Sequence, residues 1–111
     1  MAVLEKHVSP DGLLTFIVWK DDDGDISLGF DGFGWHTHAD LLAGWTGLAE
    51  PEAVKLFVDD LLSNRAFIAI ARIGDRTRDV WVALDLTPDK YKPDEEAIEF
   101  RYWNGVSATQ P

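Results

Sequence analysis

One stretch carries an unbroken helical stripe, and it fixes what the rest of the chain can be. Val54, Phe57, Val58, Leu61 and Leu62 recur at i, i+3, i+4, i+7 and i+8, the spacing that lines up one face of an α-helix. Pro51 sits where a first helical turn tolerates proline, and Glu50 and Glu52 favour the positive end of the helix dipole. The sequence predicts a helix over 51–64, closed by Ser63-Asn64-Arg65. Everything else that is apolar comes in short runs separated by turn residues. One helix among many short runs predicts α+β architecture, mainly antiparallel, in the order β-β-β-α-β-β-β.

The runs are read in order. Val3 to Val8 is a short strand, and Ser9-Pro10-Asp11-Gly12 is a tight turn. Leu13 to Lys20 is rich in β-branched and aromatic residues and apolar on both faces, which predicts an inner strand. Asp21-Asp22-Asp23-Gly24-Asp25 is a hairpin tip, and Ile26-Ser27-Leu28-Gly29-Phe30 alternates. These strands form a meander within residues 1–38. Residues 39–50 read as a loop with one helical turn at most, because Gly44 and Gly47 interrupt Leu41, Leu42, Trp45 and Leu48. Strands follow over 66–73, 80–86 and 97–103, with a turn at 74–79 and a polar loop at 87–96. Asn104-Gly105 turns, and the tail over 104–111 should fray. One helix covers one face of a single sheet, so the other face must curl, stay wet or meet a second subunit.

At 111 residues with 46% hydrophobic content, this is one domain with enough apolar matter for a core. The absence of cysteine removes disulfides, thiolate metal sites and thiol nucleophiles together, and fits a reducing compartment. The first residues do not read as a signal peptide, and no apolar run approaches a membrane span. A cytoplasmic protein is expected. The net charge of −10 argues against nucleic acid, which needs a basic face for its phosphates. The net negative charge is heavier in the N-terminal part, where residues 1–48 hold eight acids and two bases against twelve acids and eight bases in residues 49–111. Such a field favours solubility and draws a protein partner with a basic surface.

Asp31-Gly32-Phe33-Gly34-Trp35-His36-Thr37-His38-Ala39-Asp40 holds the densest chemistry. On an extended chain His36, His38 and Asp40 point the same way, either as a small polar site or as the end of an edge strand. A metal reading takes these three with His7 as a further imidazole. A capping or surface hydrogen-bonding role competes with it. The triplet resembles part of the His-x-His-x-Asp-His pattern of metallo-β-lactamase hydrolases, but residue 41 is Leu and the chain is far too short for that fold. The acidic tip lacks the glycine and glutamate spacing of an EF-hand. No Gly-x-Ser-x-Gly, Walker or dinucleotide motif is present, so no catalytic residue and no cofactor are expected.

A small, acidic, cysteine-free α+β chain with a Gly-x-Trp-His-x-His stretch resembles the immunity proteins of bacterial polymorphic and contact-dependent toxin systems. That resemblance implies a cytoplasmic bacterial protein that binds a toxin stoichiometrically and does no chemistry. The expected contact residues are Trp35, His36, His38 and Trp45, with Asp21, Asp22 and Asp23 as a steering rim. Two other readings stand beside it: a metal-binding or small hydrolytic protein built on His36, His38 and Asp40, and a homodimer joined at the uncovered sheet face.

Overall fold

The computed structural model describes residues 2–83 and 96–108. Seven strands and two helices are described: β1 Ala2–Val8, β2 Thr15–Lys20, β3 Ile26–Phe30, β4 His36–His38, α1 Ala39–Thr46, α2 Glu50–Leu62, β5 Phe67–Ile73, β6 Arg76–Ala83 and β7 Glu96–Arg101. The fold is α+β with antiparallel pairing throughout. Among the described residues no helix is long and apolar enough to cross a membrane.

The strands form two sheets where the sequence predicts one. The first has the order β1-β2-β3-β4 and the second β6-β5-β7. The run expected to be an inner strand becomes β2 and does take an inner position, and β5 takes the middle of the second sheet. Strand β7 pairs with β5 rather than with its sequence neighbour β6. Residues Ile68 and Ile70 of β5 are buried on one face, and Ala69 and Ala71 on the other. A strand buried on both faces belongs in the middle of its sheet.

The core lies between the inner faces of the two sheets and α2. Phe16, Val18, Leu28 and Phe30 come from the first sheet, Ile68, Ile70 and Val80 from the second, and Val54, Val58 and Leu61 from α2. Phe16 stacks on Phe57 of α2 with ring centres 6.1 Å apart and meets Phe30 edge-on at 5.1 Å. Leu61 is 0% exposed, at the middle of the predicted stripe. Phe57 and Leu62 flank it half-buried, so the stripe and its direction agree with the sequence reading.

The expected loop over 39–50 is instead helix α1 and a short connection. Gly44 lies inside α1, and Gly47 ends it at φ 74°, a left-handed conformation that suits glycine. Its N–H donates to the Ala43 carbonyl at 2.9 Å. The residue that looked like an interruption is therefore the helix stop. Two helices, not one, pack together beside the first sheet. The turn over 74–79 is also shorter than expected, since β6 begins at Arg76. The tail does not fray at once. The Tyr102 N–H donates to the Val106 carbonyl at 2.9 Å and the Ala108 N–H to the Phe100 carbonyl at 2.9 Å, and Ala108 is buried. Of the expected loop at 87–96, residues 87–95 lie outside the described residues, as does the strand end at 84–86, and β7 already begins at Glu96.

Candidate functional site

Strand β4 is the edge strand that the histidine spacing allowed. Among the described residues it pairs only with β3, in a register that sets Ser27 opposite His38 and Gly29 opposite His36. Gly29 is required there, because a Cβ would come within 2.7 Å of the Trp35 carbonyl oxygen. The extended backbone stops at His38, which is also the residue before α1. Asp40 therefore enters the first helical turn, where its carboxylate accepts the Leu41 N–H at 2.9 Å. That change of backbone breaks the alternation which would have aligned Asp40 with the two histidines. His7 fails for a different reason. It lies on β1, at the opposite edge of the sheet, three strand spacings or roughly 14 Å away. Its ring meets Glu5 at 3.0 Å. Among the described residues no group of three or more His, Asp or Glu side chains is arranged to hold a metal ion.

The register brings other groups to His36 and His38. The Ser27 hydroxyl lies 2.7 Å from Asp21 Oδ2 and 3.0 Å from His38 Nδ1. Trp19 Nε1 donates to Asp21 Oδ1 at 2.8 Å. The His36 ring meets His38 edge-on with centres 4.9 Å apart, and Trp19 leans on His36 at 6.2 Å. His36 Nδ1 lies 3.1 Å from the Gly34 carbonyl oxygen. Ser27 is 1% exposed beneath this cover, while His36 is exposed and His38 half-buried. The hydrogen bond from Ser27, then that from Trp19, then the nearby histidines hold the Asp21 carboxyl below its usual range. Asp21 thus joins the histidines, and the rest of the acidic turn closes beside it through Gly24 N–H to the Asp21 carbonyl at 2.9 Å and Asp25 N–H to Asp23 Oδ1 at 3.1 Å.

The two tryptophans expected to share a contact loop are separated. Trp35 is half-buried, packed on Phe30 at 6.4 Å, and its backbone N–H donates to Asp79 Oδ1 at 3.4 Å. Trp45 is 69% exposed on α1. It borders a groove of about 150 Å³ between the helices with Leu42, Ala53, Leu56, Phe57 and Asp60. Leu41, Leu48 and Leu56 are also exposed on this helical layer. The sequence expects Leu41, Leu42, Trp45 and Leu48 to tuck against the core, but only Leu42 is buried, because α1 turns Leu41 and Trp45 outward and Leu48 lies past its end. Ser27, Trp19 and Leu56 are not among the residues expected at a site. The alternation of β3 already set Ser27 and Gly29 opposite its apolar face, but only the β3–β4 register joins Ser27 to His38.

A second polar cluster ties the first turn to the last strand. Arg101 is buried, and its Nη1 donates to Asp11 Oδ2 at 2.7 Å. Its Nε and Nη2 donate to the carbonyls of Tyr102 and Trp103, both at 2.9 Å. Ser9 Oγ donates to Asp11 Oδ1 at 2.6 Å, and Leu14 N–H donates to Ser9 Oγ at 3.0 Å. The Ser9 hydroxyl first, and Arg101 next, hold the Asp11 carboxyl down at about 2. A cleft of about 430 Å³ opens beside this pair, lined also by Leu13, Phe33, Arg72 and Glu99. Arg72 Nε lies 3.1 Å from Glu99 Oε1 without a well-aligned hydrogen bond, while its Nη1 donates to Thr77 Oγ1 at 3.3 Å. Comparisons with protein-family models, curated proteins and solved structures find no match to the chain.

Proposed function

We propose that the chain is a non-enzymatic protein-binding module that takes a partner with a basic surface on its α1–α2 face. The carrying observation is the 69% exposure of Trp45 at a groove it shares with the exposed Leu56, with exposed Leu41 one helical turn before it on α1. Large apolar side chains gathered on one exposed face mark an interaction surface more than scattered ones do, and tryptophan is the residue type that most often anchors one. The same helices carry Asp40, Glu50, Glu52, Asp59 and Asp60 against a single cation, Lys55. An apolar centre with an acidic rim suits a partner of opposite pattern. The buried Ser27 hydroxyl, held between Asp21 and His38, is out of reach of a substrate, which supports binding over nucleophilic chemistry.

The finer form of this reading is an immunity-type inhibitor of a basic toxin domain. A homodimer joined at the uncovered sheet face has less support, since the face of the first sheet opposite Leu28 and Phe30 carries the polar Ser27, His36 and His38.

The experiment is capture of a partner from the source cell, followed by binding kinetics. Raising salt should slow association more than it speeds dissociation, since screening acts on the long-range encounter. Trp45→Ala should speed dissociation by tenfold or more. Unchanged dissociation from the Trp45→Ala protein moves the interface off the helical face. Association indifferent to salt removes the basic partner.

A further inference from the structure

We propose that His36 and His38 form an open chelate for one divalent transition-metal ion, with Ser27 and Asp21 holding the His38 ring from behind. The hydrogen-bond donors decide the tautomers. Asp21 is held ionised by Ser27 and Trp19, so it only accepts. It takes the single Ser27 proton across the shorter 2.7 Å contact. Ser27 then accepts, and His38 must donate from Nδ1 across 3.0 Å. The Gly34 carbonyl likewise accepts, so His36 donates from Nδ1 across 3.1 Å. Each neutral ring is left with its lone pair at Nε2, the form that binds metal. A metal-ligating histidine characteristically gives its other N–H to a carbonyl or a carboxylate-linked group.

The backbone supplies the spacing. His36 and His38 are alternate residues of one strand and share a face. Their rings stand at 88° with centres 4.9 Å apart. Two imidazoles that bind one ion at about 2.0–2.1 Å have ring centres roughly 5 Å apart when they occupy neighbouring positions of a tetragonal or tetrahedral shell. His7 and Asp40 are excluded as ligands by their positions, so the chain supplies two nitrogens and water or an anionic group supplies the rest. Two imidazoles with open positions suit Cu²⁺ first, then Ni²⁺ and Zn²⁺, and not Mg²⁺ or Ca²⁺, which take oxygen ligands. The neighbouring acidic turn raises the local cation concentration.

The test is titration of the full chain with Cu²⁺ in non-chelating buffer, followed by calorimetry and electron paramagnetic resonance. One ion per chain with imidazole nitrogen hyperfine coupling is expected, and Zn²⁺ should bind the same site more weakly. His36→Ala and His38→Ala should each weaken binding at least tenfold, and the double variant should lose the nitrogen signal. His7→Ala should change neither. Ser27→Ala should weaken binding about tenfold by freeing the His38 ring. His36 is exposed, so its variant keeps the test readable if Ser27→Ala fails to fold. No Cu²⁺ binding by the wild type, or equal binding by the double variant, overturns the site.

Discussion

The two polar clusters use the same residue types to opposite ends. Around Asp11 and Arg101, Nε, Nη1 and Nη2 of the guanidinium each donate to the protein, and a serine hydroxyl completes the carboxylate. Around Asp21 and His38, an aspartate and a serine are again joined, but the chain of bonds ends on an imidazole whose outer nitrogen is not used up by it. The first cluster is closed and joins residues 90 positions apart. The second lies along one sheet face and ends at the half-buried His38, beside the exposed His36. A saturated polar network fixes a fold, whereas one that ends on an unspent acceptor has something left to bind.

That contrast is broken most severely at Arg101. Arg101→Met removes a buried cation and leaves Asp11 and two carbonyls without their donor. The expected loss is about 3 kcal/mol by urea melt, since removing one partner of a buried pair strands the other. A loss below about 1 kcal/mol makes the clamp ornamental. Ser27→Ala is its counterpart in the open cluster. Asp21 and His38 are only half-buried and regain water, so about 1–1.5 kcal/mol is expected. A cost equal to that at Arg101 erases the distinction.

Acid sharpens the comparison further. The folded Asp11 carboxyl is held at about 2, below its ordinary 3.8. A depressed carboxyl contributes stability above its unfolded value, and the contribution is lost as pH falls from about 4 towards 2. Allowing for the partial exposure of Asp11, the loss should be below about 1 kcal/mol. Asp21 moves in the same direction, so the clamp's share is read as the part of the acid limb missing in Arg101→Met. An identical acid limb in that variant contradicts the assignment. The smallest stability effect belongs to the helical face. Trp45→Ala should stay within about 0.5 kcal/mol of the wild type, because the ring is mostly in water. A larger loss makes Trp45 a core residue and takes it out of the interface.

Much of this molecule is legible in the sequence, for local reasons. The α2 stripe, the acidic tip and the inner position of β2 each follow from residues close together in the chain. The failures are of two kinds. At Gly44 and Gly47 the signal was present but ambiguous, since a glycine that ends a helix and a glycine that prevents one look alike until φ is known. At Ser27, His38, Asp11 and Arg101 the information is non-local. Strand register joins the first pair, and closure of the C-terminal strand onto the first turn joins the second. The division into two sheets is of the same kind, because pattern gives each strand its faces but not its neighbour.

The open character of the histidine cluster rests on which ring nitrogen carries the proton. Long-range ¹H–¹⁵N spectra of the imidazoles report this directly, at a pH above about 8 where ordinary histidines are neutral. The expected spectrum shows both His36 and His38 as the Nδ1–H tautomer, held by the Gly34 carbonyl and the Ser27 hydroxyl. His38 found as the Nε2–H tautomer would mean that Ser27 gives its proton to the ring and that the outer nitrogen is a donor with no lone pair to offer.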